Sequence, residues 1–357
     1  MRIALLLLPF LLITTTAFAQ DWRTWRRGAL FATYVTETGP RTPQTRVFST
    51  NWFEGGASHA LGANAAIEFR GRLSLEPLTV PREGYPQLLQ YISPSSGGPL
   101  TDRMRAQDLV QEVAMRVSWR ALRLNLSAVG DPPLGATPYA QRASSIDFAE
   151  APFAYDVQES FHVATRVIGA AVDTKTFAIE GAVFHASTTG GRHTTIADGG
   201  IDSWSGRAIL RPSPHVAIQA SRGVLGDEHR NVTSASITYE SALIATSAIW
   251  TRRDPAKALR GIAPALNAFG IELALRGARN IASIRIETVD RPAGTFYPAL
   301  RRTTHFTIGD IFELRRTRGL RAGIGANIDY QTNTSELQAT YGHKPQSVYA
   351  FVRIRTD

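Results

Sequence analysis

Stretches of about ten residues in which apolar and charged side chains alternate recur along this chain, and that period constrains its fold more than any other feature. Between Asn64 and Leu73, Ile67, Phe69 and Leu73 share one face and Glu68, Arg70 and Arg72 the other. Within Gln111–Arg120, Val113, Met115, Val117 and Trp119 oppose Glu112, Arg116 and Ser118. In the next segment Leu122, Leu124 and Leu126 oppose Arg123, Asn125 and Ser127. The pattern returns as Phe269, Ile271, Leu273 and Leu275 against Glu272 and Arg276, and as Ile284 and Ile286 against Arg285 and Glu287. It closes the chain as Val348, Ala350, Val352 and Ile354 against Tyr349, Phe351, Arg353 and Arg355. A period of two is the signature of a β-strand. Past its first residues the chain has no apolar stretch long enough for a transmembrane helix. A membrane barrel remains open, because its strands need only about 9–11 residues and every second one faces lipid.

A soluble sandwich alternates in the same way, so the connections must decide. Tight turns are expected at Arg120–Ala121, Asp173–Thr174, Pro212–Pro214, Glu240–Ala242, Gly277–Arg279 and Thr317–Gly319. Longer connections fall at 76–107, 130–157, 187–200, 253–264, 290–300 and 332–346. Short and long alternate, as in outer-membrane barrels with short periplasmic turns and long outer loops. Strands at 29–36, 46–54 and 64–75, six turn-linked pairs and a closing strand at 347–355 make about 16, an even number that returns both termini to one side. The expected fold is all-β: one antiparallel transmembrane β-barrel domain over residues 20–357. Connections 76–107 and 130–157 should lie outside, with Gly97 and Gly135 exposed there and Ser213 and Arg318 on the inner side.

The first residues set the compartment. Arg2, the apolar run Ile3–Ile13 and the small-x-small Ala17-Phe18-Ala19 read as a signal peptide over residues 1–19, cleaved after Ala19. An exported barrel belongs in the outer membrane of a Gram-negative bacterium, with outer-membrane lipid and the barrel-assembly machinery as partners. The chain has no Cys, which removes both a lipoprotein anchor and a disulfide framework. A formal charge of +9 could mean nucleic acid. With arginines spread over exported strands it points instead to a charged lumen or anionic lipid.

The stretch Leu73-Ser74-Leu75-Glu76-Pro77-Leu78-Thr79-Val80-Pro81, followed by Gly84-Tyr85-Pro86-Gln87-Leu88-Leu89-Gln90, resembles a family of uncharacterised Gram-negative outer-membrane barrels. Further support comes from Gly98-Pro99-Leu100-Thr101-Asp102-Arg103 with Asp108-Leu109, from Glu150-Ala151-Pro152 through Glu159-Ser160-Phe161-His162, and from Asp202-Ser203-Trp204-Ser205-Gly206-Arg207. The resemblance spans most of the mature chain and implies fold and location rather than an activity. The family pattern carries an HxH pair ahead of Asp108-Leu109 and paired histidines ahead of Glu159-Ser160, which would imply a link to metal ions. This chain has Arg105 and Gln107, and Ala154 and Tyr155, in those places; only His162 remains.

The charged strand faces are the first candidate site. Glu68, Arg70, Arg72, Glu112, Arg116, Arg123, Arg166, Glu180, Arg207, Arg211, Glu272, Arg276, Arg285, Glu287, Arg321, Asp329, Arg353 and Arg355 all fall on the polar side. Facing lipid at the midplane each Arg would cost about 2–4 kcal/mol, so these faces should line the lumen. Two readings stay open: a pore that prefers anions, or an Arg–carboxylate network that fills a narrow barrel. The long connection 76–107, with Glu76, Tyr85, Asp102, Arg103 and Asp108, is a candidate for ligand binding or gating, or else a structural lid.

His162, near Ser160, Asp156, Glu159 and His185, could join a metal site or a Ser-His-acid arrangement, or be a plain hydrogen-bonding residue. No GxSxG, HExxH, Walker or EF-hand motif occurs, so no catalytic residue, metal or cofactor is expected. Trp22, Trp25, Trp52, Trp119, Trp204 and Trp250, with Tyr34, Tyr239 and Tyr330, suit interfacial girdles. The leading expectation is a porin-like channel for small anionic solutes. The second is a non-conducting barrel that binds a ligand or partner through its outer loops, and the third a hydrolase using His162.

Overall fold

The computed structural model describes residues 21–39, 44–90, 101–186, 193–226, 229–292, 300–317, 319–332 and 335–356. The expected signal peptide 1–19, Gly97, Gly98–Leu100 and Arg318 lie outside the described residues. The strands are β1 Trp22–Thr38, β2 Thr45–Ala60, β3 Ala65–Leu73, β4 Tyr85–Pro86, β5 Arg103–Met104, β6 Val110–Trp119, β7 Leu122–Gly130, β8 Ala164–Asp173 and β9 Phe177–His185. They continue as β10 Ser203–Ser213, β11 Val216–Leu225, β12 Arg230–Glu240, β13 Ile244–Arg253, β14 Leu266–Arg276, β15 Asn280–Pro292, β16 Leu300–Thr317, β17 Leu320–Thr332 and β18 Gln346–Thr356. Among the described residues, sixteen of them form one closed antiparallel barrel, and β4 pairs only with β5. Closure is made by β1 against β18, from Ala29 opposite Arg355 to Thr38 opposite Gln346.

The expected alternation holds with two departures. A further tight turn at 61–64 joins β2 to β3, and the connection 226–229 is short although it lies at the end that carries the long ones. β1 and β2 run longer than their alternation suggests. Trp22–Gly28 pairs with β2 beyond the last β18 partner, and Arg23, Thr24, Arg26 and Arg27 are exposed there, which blurs the period.

The burial pattern is inverted relative to a soluble protein. Leu124 is 58% exposed, Ile179 61% and Ile308 63%, and similar apolar side chains point outward from most of the strands. Soluble monomers do not carry an apolar girdle of this extent; lipid must cover it. Trp119, Trp204, Trp250, Tyr34 and Tyr239 share this outer face, and Trp22 stacks on His59. Trp25 and Trp52 do not belong to a girdle. Trp52 is in phase with inward Thr50 and Glu54 and packs on Phe31 and Ala149, while Trp25 donates to Glu68 Oε1 at 3.2 Å.

The apolar core lies inside the barrel and is supplied by connections. Residues 131–163 fold inward, so Gly135 is buried, its N–H donating to Ser221 Oγ at 2.8 Å, rather than exposed outside. Phe153, Ala154 and Val157 pack with Leu88, Leu89, Leu337 and Tyr341. Leu134 and Phe161 pack with Phe184, Leu225 and Val232. Tyr85 stacks on Phe48 at 4.4 Å between ring centres and donates nothing to solvent: its oxygen accepts the Ala151 N–H at 2.9 Å.

The segment Ser74–Val80 has a different task. β2 pairs with β3 only from Phe53 onward, so its Thr45–Trp52 half has no strand on that side. Ser74 Oγ donates to the Asn51 carbonyl at 2.7 Å, the Leu75 N–H donates to Asn51 Oδ1 at 2.6 Å, and Thr79 Oγ1 donates to the Ser49 carbonyl at 2.7 Å. The single helical turn Glu76–Thr79 thus caps an open sheet edge that would otherwise invite pairing with another chain.

Candidate functional site

The polar faces meet the inserted connection in two ways. Along β13–β18 the insertion lies against the wall. Glu272 accepts two bonds from Arg142, at 2.7 and 2.8 Å, and bonds from Ser144 and Ser247 at 2.8 and 3.0 Å. Arg285, fully buried, lies 3.4 Å from Glu272, donates to Ser145 Oγ at 2.7 Å and sits over the Phe148 ring. Glu287 accepts the Phe153 and Ala154 N–H groups, each at 2.9 Å. Asp147 holds Arg353 and, at 2.5 Å, Arg355, while Asn327 donates to Glu150 at 2.7 Å. Arg276 donates to the carbonyls of Ala143 and Ser241, and Asp329 accepts from Thr307 at 2.6 Å. Here the structure takes the network reading: each wall charge is answered by a group of 141–163 or by a neighbouring strand.

The opposite wall, β3 and β6–β10, stands away from the insertion and leaves a cavity of about 220 Å³. Arg70, Glu112, Arg116, Arg123, Glu180 and Arg207 line it from the wall. Asp131, Pro132, Pro133, Pro138, Gln141 and His162 line it from the insertion. The wall charges form a ladder. Asp173 bridges Arg211 and Arg123, at 3.0 and 2.7 Å, and Glu180 bridges Arg123 and Arg207. Glu112 pairs with Arg116 at 3.1 Å, and Arg72, behind the cavity, pairs with Asp131 at 2.6 Å. Arg70 makes no side-chain hydrogen bond among the described residues; Glu112 Oε2 is 3.6 Å away. Four arginines line the cavity against Glu112, Asp131 and Glu180, one positive charge in excess.

His162 closes the insertion side. It is 5% exposed, and neither ring nitrogen has a hydrogen-bond partner of normal geometry. Burial and the charges of Arg72, Arg207 and Arg142 push its imidazole well below the usual histidine range, so it is neutral. Ser160 Oγ donates to the Asp156 carbonyl at 2.8 Å and accepts from Arg253 at 3.1 Å. Serine, histidine and acid therefore do not assemble as a nucleophilic triad.

At the end with the long connections, His193–Ala197 covers the wall above this cavity. His193 Nδ1 meets Asp108 Oδ1 at 2.9 Å, and the Leu109 N–H donates to the His193 carbonyl at 2.8 Å.

Arg166 is not a lumen residue. A β-bulge between Thr165 and Ile168 gives it a left-handed φ of 53° and swings it outward, where it pairs with exposed Asp198. Arg321 is half-buried at the short-turn end, opposite Arg355. Of the candidates in 76–107, Glu76 is buried and accepts the Gln107 N–H at 2.7 Å and the Asn51 N–H at 3.4 Å; burial raises its carboxyl to about 8. Asp102 accepts from Tyr341 and from the Leu89 N–H, at 2.9 and 2.8 Å, and Arg103 reaches the Gly84 carbonyl. These residues hold the connection down.

Tyr155 donates to Gln107 Oε1 at 3.2 Å. Among the described residues no three His, Asp or Glu side chains gather as a metal site. The alternation could not reveal Arg142, Asp147 or Glu150, which sit on the irregular insertion.

A closed antiparallel barrel with an apolar outside and an ion-paired inside defines a transmembrane β-barrel. No protein family and no curated protein matches the chain. Solved structures do. An anion-selective porin from Comamonas acidovorans is 11% identical, with a TM-score of 0.59 over 94% of this chain and 100% of that one. A loop L8 deletion mutant of OmpT, an outer membrane protein of Vibrio cholerae, is 10% identical with a TM-score of 0.57 over 94% and 100%. A mutant of the Rh. blastica porin is 10% identical with a TM-score of 0.51 over 93% and 100%. At such identities the likeness is one of fold.

Proposed function

We propose that the protein is exported, loses residues 1–19, and serves in the outer membrane as a porin-like channel whose solute path runs between the inserted connection and the β3, β6–β10 wall, with a preference for small anions. One observation supports this above the others: the cavity of about 220 Å³ left open there, lined by four arginines against three carboxylates. An excess of guanidinium in a narrow passage favours anions. The anion-selective porin among the fold relatives agrees with this reading. The resemblance carried by Leu73–Pro81 and Gly84–Gln90 belongs to the same proposal, as do contacts with lipid and the assembly machinery.

Planar-bilayer recording of the purified barrel should show chloride favoured over potassium. Changing Arg70, Arg116, Arg123 and Arg207 together to Gln should reduce that preference while conductance persists. Folded protein that stays silent would reject the channel. It would favour the second reading, a non-conducting barrel that binds through its outer connections, to which the segment His193–Ala197 held on Asp108 and the ion pairs between insertion and wall lend support.

A further inference from the structure

Some strand arginines face lipid. On β11, Ser221 and Gly223 are buried, and a Cβ added to Gly223 would meet Leu134 of the insertion. Arg222, between them, therefore points to the lipid side, where it is exposed. Its register row crosses two more strands: Arg222 lies opposite Thr233 of β12, and Thr233 opposite Arg252 of β13. Arg252 is exposed on the same side, in phase with outward Trp250. Two strand spacings, about 10 Å, separate the two arginines. Arg260, on the connection after β13, donates to the His229 carbonyl at 2.7 Å and so stands at the head of β12, between them.

Other outward arginines at this end are answered by a carboxylate, Arg166 by Asp198 and Arg302 by Asp290. Arg222 makes no hydrogen bond or ion pair among the described residues. Arg252 commits only Nε, to Asp254 Oδ1 at 3.0 Å, and Asp254 also accepts from Asn231. Three guanidinium groups thus share one carboxylate. Around Arg222 the outer face is small and apolar: Ala208, Ala220 and Ala235 lie side by side in the row below, and Trp204 stands opposite Val224 in the row above. A guanidinium on such a face is unfavourable unless its stem carries the charge up to an anion at the interface. A solute in the lumen cannot reach it, since the strand lies between. A second copy of the chain has no open carboxylate to offer on this side among the described residues, because Asp198, Asp202, Asp254 and Asp290 are each already paired.

We infer that Arg222, Arg252 and Arg260 hold a phosphorylated glycolipid of the outer leaflet. Its phosphates take the guanidinium groups, whose fork suits phosphate oxygens. Its sugar lies over Thr233 between the arginines, and an acyl chain runs down the alanine strip. The inference rests on the outer-membrane reading with the long connections outside, and it is independent of the channel.

The test is native mass spectrometry of the purified barrel in detergent, with diphosphoryl and monophosphoryl lipid A as probes. One diphosphoryl lipid A should be retained, about tenfold more tightly than the monophosphoryl form, the worth of one charge-assisted contact. Arg222→Gln and Arg252→Gln should each weaken the diphosphoryl lipid about tenfold. Both side chains are exposed, so these variants keep the fold. Arg315→Gln, exposed at the tight-turn end, should change nothing. Equal retention of the two lipids, retention untouched by Arg222→Gln, or displacement by excess inorganic phosphate would each overturn the lipid site. A dimer that Arg222→Gln dissociates would also overturn it, in favour of a second copy of the chain. Lipid retained by a barrel silent in the bilayer would reject the channel and keep the site; an anion-selective barrel that retains neither lipid would do the reverse.

Discussion

Individual side chains divide by what their charge meets. Glu272 is the most heavily invested carboxylate of the β13–β18 wall, since Arg142, Arg285, Ser144 and Ser247 all converge on it. Glu272→Gln leaves two buried guanidinium groups short of a counter-charge and should cost about 3–5 kcal/mol, read as a lower urea midpoint for unfolding from lipid vesicles. Asp173→Asn, between the half-exposed Arg123 and Arg211, should cost about 1 kcal/mol or less in the same assay. Glu76 behaves differently. The folded chain keeps its carboxyl neutral up to about pH 8, whereas the unfolded chain ionises it near 4.5. The folded state therefore binds the extra proton in that interval. The stability due to this group is complete at acid pH and lost as pH rises through about 8. Glu76→Gln, which mimics the neutral form, should flatten that part of the profile between pH 5 and 9; an unchanged slope would remove Glu76 as its source.

At the level of elements, the strands were legible and the insertion was not. Arg123, Asn125 and Ser127 alternate with three leucines because one face meets lipid and the other does not, and a period of two records that directly. Where the backbone breaks period, as at the left-handed Arg166, the pattern assigns the wrong face. The connection 131–163 has no period, so nothing local announces that Asp147, Glu150 and Arg142 would reach the far wall; only the uncompensated strand charges imply a partner. Its inward position is maintained by those pairs and by Phe153, Val157 and Phe161 in the core. Replacing residues 134–160 with a short Gly-Ser link should leave a folded barrel, because Glu272, Arg285 and Glu287 would then be hydrated rather than buried unpaired. Single-channel conductance should rise several-fold. A conductance equal to that of the native chain would mean that the insertion does not obstruct the path.

For the whole molecule, the even strand number fixes the sidedness of everything else. β1 begins and β18 ends at the end with tight turns, the capping turn Ser74–Val80 and the segment His193–Ala197 lie at the other, and the insertion enters from that other end and reaches back to Arg276 and Arg355 beside the tight turns. Alternation of turn lengths, read from the sequence, carried this much because lipid and lumen treat the two ends alike while assembly from one side does not. The connection between β13 and β14 and the turn between β8 and β9 offer a clean test: Lys257 and Lys175 are exposed, in no ion pair among the described residues, and at opposite ends. The native chain has no Cys, so one introduced thiol gives an unambiguous signal. On intact cells a membrane-impermeant maleimide should label Lys257→Cys and spare Lys175→Cys until the outer membrane is permeabilised. Gly135→Cys is a poor reporter, since a side chain there would strike Phe161 at 2.8 Å from a left-handed backbone. Labelling of Lys175→Cys alone on intact cells would invert the barrel and place the segment His193–Ala197 at the periplasmic mouth.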